Sequence, residues 1–106
     1  MAILQTELTI LKLSNWRSII ELDDKVYTMD LRWNVRAQSW FISLFTNNIE
    51  EVIINPLKLV LNVNMLKYAT NPLKPSGVLV AQSDSTDIIT YDNLGDDVKL
   101  NYFQRI

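Results

Sequence analysis

Two runs rich in aromatic and β-branched residues, 26–34 and 39–46, flank a short polar loop and predict a β-hairpin. Apolar and polar residues alternate along both runs, the period of two that places one set of side chains on each face of a strand. A four-residue loop, 35–38, would pair the apolar residues on one face: Trp33 with Trp40, Leu31 with Ile42, and Met29 with Leu44. A slip of one residue would move all of them to the other face, so the pattern fixes the register. These six residues are the predicted core of the hairpin.

A meander of antiparallel strands is predicted around this hairpin. Residues 16–22 form a strand that the turn Asp23-Asp24-Lys25 joins to the hairpin. On the opposite face of the hairpin, Arg32 would lie across from Phe41, and Asp30 from Ser43. After the turn Asn47-Asn48, a loop of three residues would set the next strand against the third in this register: Val52 opposite Leu44 and Ile54 opposite Ile42.

The remaining strands are predicted from shorter patterns. Residues 57–65 show the cleanest alternation in the chain, residues 98–102 alternate again, and a pattern that starts at residue 8 loses its period near Leu11. Residues 77–81 form a continuous apolar run, which is typical of a strand covered on both faces. Apolar spacings of three and four do not persist beyond about two turns, so the only helical turn allowed is at residues 49–53. The predicted fold class is all-β, a small antiparallel β-barrel or sandwich built on a meander, with little or no helix.

A chain of 106 residues predicts a single domain, residues 1–106. Small β-domains have exposed strand edges, and chain ends are poorly ordered unless another element holds them. We therefore expect residues 1–15 to form an N-terminal arm that depends on assembly.

Composition excludes several classes of function. The formal net charge is −2 and the basic residues are scattered, so no patch is expected to bind nucleic acid specifically. No apolar run is long enough to span a membrane or to export the chain, which favours a protein assembled in a cytoplasm. The sequence contains no histidine and no cysteine, so the commonest general base, transition-metal ligands and thiol nucleophile are missing.

Carboxylates and tryptophans are the remaining candidates for chemistry. Nearly all the acidic residues lie in predicted turns, where aspartate is favoured for its hydrogen bonds to nearby backbone. The run at residues 92–97 departs from a calcium-binding loop, since Gly95 comes fourth instead of sixth and no glutamate follows. Trp33 and Trp40 could form a stacking platform for a sugar or a base, but their place in the apolar series favours the core. Trp16 lies outside that series. We predict no catalytic residue, cofactor, metal or small-molecule substrate.

The order and spacing of these motifs resemble a known family, the small baseplate plug proteins of contractile-tailed bacteriophages, named from a cyanophage baseplate. The resemblance covers residues 16–103. The motifs that carry it are Leu31-Arg32-Trp33-Asn34, Trp40-Phe41-Ile42-Ser43-Leu44, Asn47-Asn48, Gly77-Val78-Leu79, Asp92-Asn93-Leu94-Gly95 and Leu100-Asn101-Tyr102. Its turn and strand positions are Asn34, Gly77, Leu94, Gly95, Leu100 and Tyr102.

The resemblance implies a structural virion protein of the tail baseplate, at the distal end of the tail tube, without an active site. Its implied partners are copies of itself and other baseplate, hub or tail-tube proteins. A ligand-binding β module of a tail or surface protein, such as a carbohydrate-binding domain, is the alternative. An exposed, coplanar tryptophan pair in a groove would favour that alternative.

Overall fold

The computed structural model describes residues 3–11, 13–67 and 69–105, which form seven β-strands and, within those ranges, no helix. The strands are β1 (Ile3–Glu7), β2 (Asn15–Leu22), β3 (Lys25–Asn34), β4 (Ser39–Thr46), β5 (Val52–Lys58), β6 (Val78–Gln82) and β7 (Lys99–Arg105). They divide into two antiparallel sheets, one with the strand order β1-β7-β6 and one with the order β2-β3-β4-β5. The all-β prediction is confirmed in its sandwich form, since neither sheet closes into a barrel.

The four-stranded sheet is a meander in which consecutive strands pair. β3 and β4 have the predicted register on both faces, with the pairs Trp33 and Trp40, Leu31 and Ile42, Met29 and Leu44, Arg32 and Phe41, and Asp30 and Ser43. Asp23 and Asp24 form the two-residue connection between β2 and β3, with φ angles of 57° and 63°. Positive φ at both central residues is the requirement of a type I′ turn, whose twist matches that of the flanking strands.

The predicted pairing of β4 with β5 is wrong. Val52 lies opposite Phe45, Ile54 lies opposite Leu44, and Ile42 faces a residue further along β5, with a shift in register on each side of Leu44. At each shift β5 holds one residue more than β4, the arrangement of a β-bulge, which leaves no mark in an alternating sequence. Residues 49–53 do not form the helical turn allowed above. Ile49 takes a left-handed φ of 58°, and β5 begins at Val52.

The strand predicted over residues 57–65 is also wrong, because only the first two residues of that range belong to β5. The two asparagines of the range turn the chain instead. Asn62 has a φ of 62°, a conformation that asparagine tolerates better than most residues. The side-chain oxygen of Asn64 accepts hydrogen bonds from the backbone N–H groups of Leu66 (3.0 Å) and Leu79 (3.2 Å). Beyond β5, the leucines of this range therefore reach the core from an irregular connection.

The three-stranded sheet has β7 at its centre. The strands predicted over residues 77–81 and 98–102 are found as β6 and β7. The pattern that starts at residue 8 is not a strand: β1 is Ile3–Glu7, and Leu8 follows it with a hydrogen bond from its backbone N–H to the oxygen of Leu100 (2.8 Å). Met1, Ala2 and Lys12 of the expected arm lie outside the described residues.

The inner faces of the two sheets pack into one hydrophobic core. Its fully buried residues come from both sheets: Met29, Leu31, Ile42 and Leu44 from one, and Leu79, Ala81, Leu100 and Tyr102 from the other. Met65, Leu66, Leu94 and Val98 add buried side chains from the connections. The outer faces of the two sheets consequently point in opposite directions, as in any two-layer sandwich.

Polar contacts tie the β2–β3 turn to the other sheet. The Oδ2 atom of Asp23 accepts hydrogen bonds from the backbone N–H (2.7 Å) and the hydroxyl (3.0 Å) of Ser76, just before β6. The backbone N–H of Gly77 donates to the buried hydroxyl of Tyr102 on β7 (2.8 Å). A Cβ atom at Gly77 would collide with the carbonyl oxygen of Phe103 and the ring of Tyr102, so only glycine fits.

These contacts change the acidity of Asp23. Burial alone would raise the pKa of its carboxyl group, but hydrogen bonds from Ser76, the nearby Tyr102 hydroxyl and the charge of Lys25 together lower it. Burial and the Asp23 carboxylate raise the pKa of Tyr102, so its hydroxyl stays protonated as a donor. Since the pKa of Asp23 is lower in the folded state than the ordinary value of 3.8, its contribution to stability is full above that value. The contribution is lost as the pH falls through the folded pKa.

We predict that Asp23→Asn lowers the melting temperature at neutral pH and flattens the acid-induced loss of stability between about pH 5 and about pH 2. Thermal unfolding followed by circular dichroism across this range measures both effects. Asp24→Asn is the matched control, because it makes the same change at the adjacent turn position, where asparagine tolerates the positive φ. Identical pH profiles for the two variants would contradict the role assigned to Asp23.

Candidate functional site

Three aromatic rings form a cluster at one end of the β3–β4 hairpin. The rings of Trp33 and Trp40 meet edge to face, with their centroids 5.6 Å apart and an interplanar angle of 65°. Tyr91 stacks on Trp40 at 5.6 Å and 9°, and meets Trp33 edge to face at 5.5 Å. Such contacts are worth about 0.5–1.5 kcal/mol beyond the area they bury.

The geometry of this aromatic cluster favours packing over ligand binding. A stacking platform presents an open ring face, whereas Trp40 is buried and Tyr91 covers its ring. The indole N–H of Trp40 donates to the backbone oxygen of Thr90 (3.2 Å). The cluster therefore joins the hairpin to the segment before β7. Tyr91 had no local signal in the sequence, since its partners lie far away along the chain.

Trp16 lies outside the apolar series of the hairpin, but it is also a core residue. It lies on β2 opposite Leu31 and is buried. Its indole nitrogen makes no hydrogen bond within the described residues.

Each turn and strand position named in the sequence resemblance makes a contact within the described structure. Asn34 accepts a hydrogen bond from the backbone N–H of Ala37 (2.9 Å) and so shapes the hairpin loop. Gly95 has a φ of 94°, and a Cβ there would lie 2.9 Å from Ile10. Leu94 and Leu100 are buried, and Gly77 and Tyr102 make the hydrogen bond described above.

The acidic run at residues 92–97 lies in the connection before β7. Asp92 and Asp96 lie in exposed turns of the segment before β7. Among the described residues, no group of three or more side chains is arranged to hold a metal ion.

Two charged surfaces occupy the outer faces of the sheets. On the four-stranded sheet, Arg17 binds the buried carboxylate of Asp30 through two hydrogen bonds, of 2.6 Å from Nε and 3.0 Å from Nη2. Arg32 lies 3.9 Å from the same carboxylate, and Lys58 lies across from Phe41 on the same face. We call Arg17, Arg32 and Lys58, with Asp30 between them, the basic face.

A groove on the outer face of the three-stranded sheet carries the opposite charge. Its lining includes four acidic residues and one lysine: Glu7, Asp84, Asp96, Asp97 and Lys99. Nζ of Lys99 lies 3.7 Å from the Glu7 carboxylate. We call this surface the acidic groove. Neither surface is evident from the sequence, because each one combines residues from separate strands and loops.

Comparison with known families assigns the chain. Residues 6–105 match the family described as cyanophage baseplate Pam3 plug gp18. The chain belongs to this family. The match runs from β1 to β7 and so includes both sheets, and it confirms the resemblance found in the sequence. No curated protein matches the chain.

As a member of the baseplate plug family, the chain is a structural protein of the phage virion. Its place in the baseplate implies association with other baseplate or tail proteins. The described part of the chain holds no helix able to cross a membrane.

We predict that Trp40→Ala destabilises this plug-family protein by about 3–5 kcal/mol, the usual cost of removing a buried aromatic side chain. Trp33→Ala should cost less, because Trp33 is only half-buried. Urea unfolding followed by circular dichroism measures both values. Tyr91→Phe is the control, since it keeps the ring that stacks on Trp40 and removes only the hydroxyl. A stable Trp40→Ala protein that had lost binding to a sugar would make the aromatic cluster a recognition site.

Proposed function

We propose that this protein is a plug at the distal end of the tail tube, held within the baseplate, and that it performs no catalysis. The match to the baseplate plug family over residues 6–105 carries the proposal. A plug acts by filling space and by contacting its neighbours. Both actions require a stable core and accessible outer faces. The sandwich supplies the core, and the outer faces carry the charged surfaces described above.

The chemistry of the chain supports a role without catalysis, metal or cofactor. Histidine and cysteine are missing from the sequence, and the carboxylates serve in turns, in the Arg17–Asp30 pair and in the Asp23 contacts. The partners we infer are copies of the chain and other baseplate, hub or tail-tube proteins, and we infer neither specific nucleic acid nor a small-molecule substrate. Assembly into the virion would take place in the host cytoplasm.

The N-terminal segment is the part of the chain that we propose to depend on neighbours. β1 is an edge strand that pairs only with β7 in the described structure, and Gln5, Thr6 and Glu7 are exposed. An edge strand offers unpaired backbone groups to another chain. Residues 1–15 would thus be an arm that a neighbouring subunit holds in the baseplate.

We predict rapid amide exchange in β1 and in residues 103–105 of the isolated monomer, and slow exchange in β3 and β4. Hydrogen exchange with mass spectrometry, on a sample whose monomeric state is verified by sedimentation, measures this difference. Equally slow exchange in β1 and β3 would show that the arm does not depend on assembly.

The position in the virion has its own test. We expect a phage that lacks this protein to produce no complete baseplates, and a tagged copy to be labelled by gold at the distal end of the tail in electron micrographs. The variant Asp92→Asn should restore assembly nearly as well as the unmodified protein. A tag at the neck or fibres would contradict the proposed position, and loss of assembly by EDTA would contradict a metal-free role.

A further inference from the structure

The two charged surfaces lie on opposite sides of the sandwich and carry opposite excess charge. On the basic face, three cations and one carboxylate leave an excess of two positive charges. In the acidic groove, four carboxylates and one lysine leave an excess of three negative charges. Glu21 also lies on the outer face of the four-stranded sheet, two residues beyond Ile19, so the basic face is a patch at the Arg17 end of that sheet.

The basic face is rigid as well as charged. Asp30 is buried, and its two oxygens hold the guanidinium group of Arg17 in a bidentate pair. A guanidinium group has five N–H donors, so the pair leaves others for a partner on the exposed side. The side chains of Arg17 and Arg32 are 51% and 64% exposed. This fixed orientation lowers the entropy lost when a carboxylate binds.

Each outer face also carries a cross-strand row that includes exposed apolar residues next to its charges. On the four-stranded sheet, one cross-strand row contains Ile19, Thr28, Phe45 and Val52, of which Ile19 is 71% exposed and Val52 44%. On the three-stranded sheet, one row contains Gln5, Phe103 and Val78, and Val78 is 39% exposed. Exposed apolar side chains next to charge are typical of contact surfaces.

On each face a charged residue lies next to this row along a strand. Residues two apart on a strand share a face and lie about 7 Å apart. Arg17 of the basic face lies two residues from Ile19 along β2, and Glu7 of the acidic groove lies two residues from Gln5 along β1.

We propose that copies of this chain associate head to tail, with the basic face of one copy docked against the acidic groove of the next. This inference rests on the proposed function, since it gives the self-association of the plug a defined interface. A contact between two different surfaces generates a ring if the rotation closes, and a filament if it does not. Two identical faces would instead bring like charges together, which opposes a symmetric dimer through either face.

The test uses charge reversal in the full-length protein. The first variant, Arg32→Glu with Lys58→Glu, reverses the basic face but leaves the Arg17–Asp30 pair intact. The second variant, Asp84→Lys with Asp97→Lys, reverses the acidic groove. The control, Arg36→Glu with Lys74→Glu, changes the net charge by the same amount as the first variant at two exposed loop positions outside both surfaces. Sedimentation velocity at low and high salt measures self-association, and circular dichroism verifies the fold.

The unmodified protein and the control are expected to self-associate at low salt and to dissociate as salt screens the charges. Each reversed variant alone should associate at least about tenfold more weakly. An equal mixture of the two reversed variants should recover the complexes, because contacts between the two different variants again join opposite charges. A monomeric unmodified protein, or a mixture that stays monomeric, would overturn the proposal. Gold labelling at the distal tail end together with a monomeric unmodified protein would reject this interface and leave the proposed function standing.

Discussion

The register between β3 and β4 holds Met29, Leu31, Ile42 and Leu44 at the centre of the sandwich, where both sheets pack against them. Each buried aliphatic side chain of this kind contributes about 1.5–3 kcal/mol. A slip of one residue would turn Asp30 inward, away from Arg17, and would bury its charge without a partner. Because this register is fixed, the other strands can differ in length and contain irregularities without displacing the core.

The second sheet is attached by contacts of another kind. Its apolar face packs on the hairpin, but its position along the hairpin is set by polar groups at the edge of the core. Asp23, Ser76, Gly77 and Tyr102 link the β2–β3 turn, the start of β6 and the middle of β7. Hydrogen bonds need particular distances and angles, so these contacts fix the position of the second sheet more narrowly than apolar packing does.

The turns show how the chain folds with only two glycines. Among the residues that the structure describes, five others take positive φ: Asp23, Asp24, Gln38, Ile49 and Asn62. Asp and Asn tolerate this conformation, but a β-branched residue such as Ile49 is strained in it, at a cost of about 1–3 kcal/mol. The strained residue lies in the exposed loop before β5, the strand whose pairing with β4 differs from the predicted register.

A structural virion protein needs its function distributed over its surface, and the arrangement of residues here agrees with that need. The aromatic cluster and the Asp23 contacts lie at joints within the molecule, whereas the basic face and the acidic groove lie on its two outer faces. The match to the baseplate plug family accounts for this division, since such a protein acts through the neighbours that it contacts.

The amino-acid sequence by itself determined the all-β class, the turn at Asp23 and Asp24, and the full register of β3 against β4. These features depend on a period of two and on turn residues, which are local properties of the chain. The tertiary structure alone decided the bulges of β5, the irregular path through Asn62 and Asn64, the pairing of β1 with β7, and the stacking of Tyr91 on Trp40. It also decided which charges gather on each outer face. Each of these features depends on contacts between residues that are distant in the sequence, and an alternating pattern carries no information about which distant partner a side chain will meet.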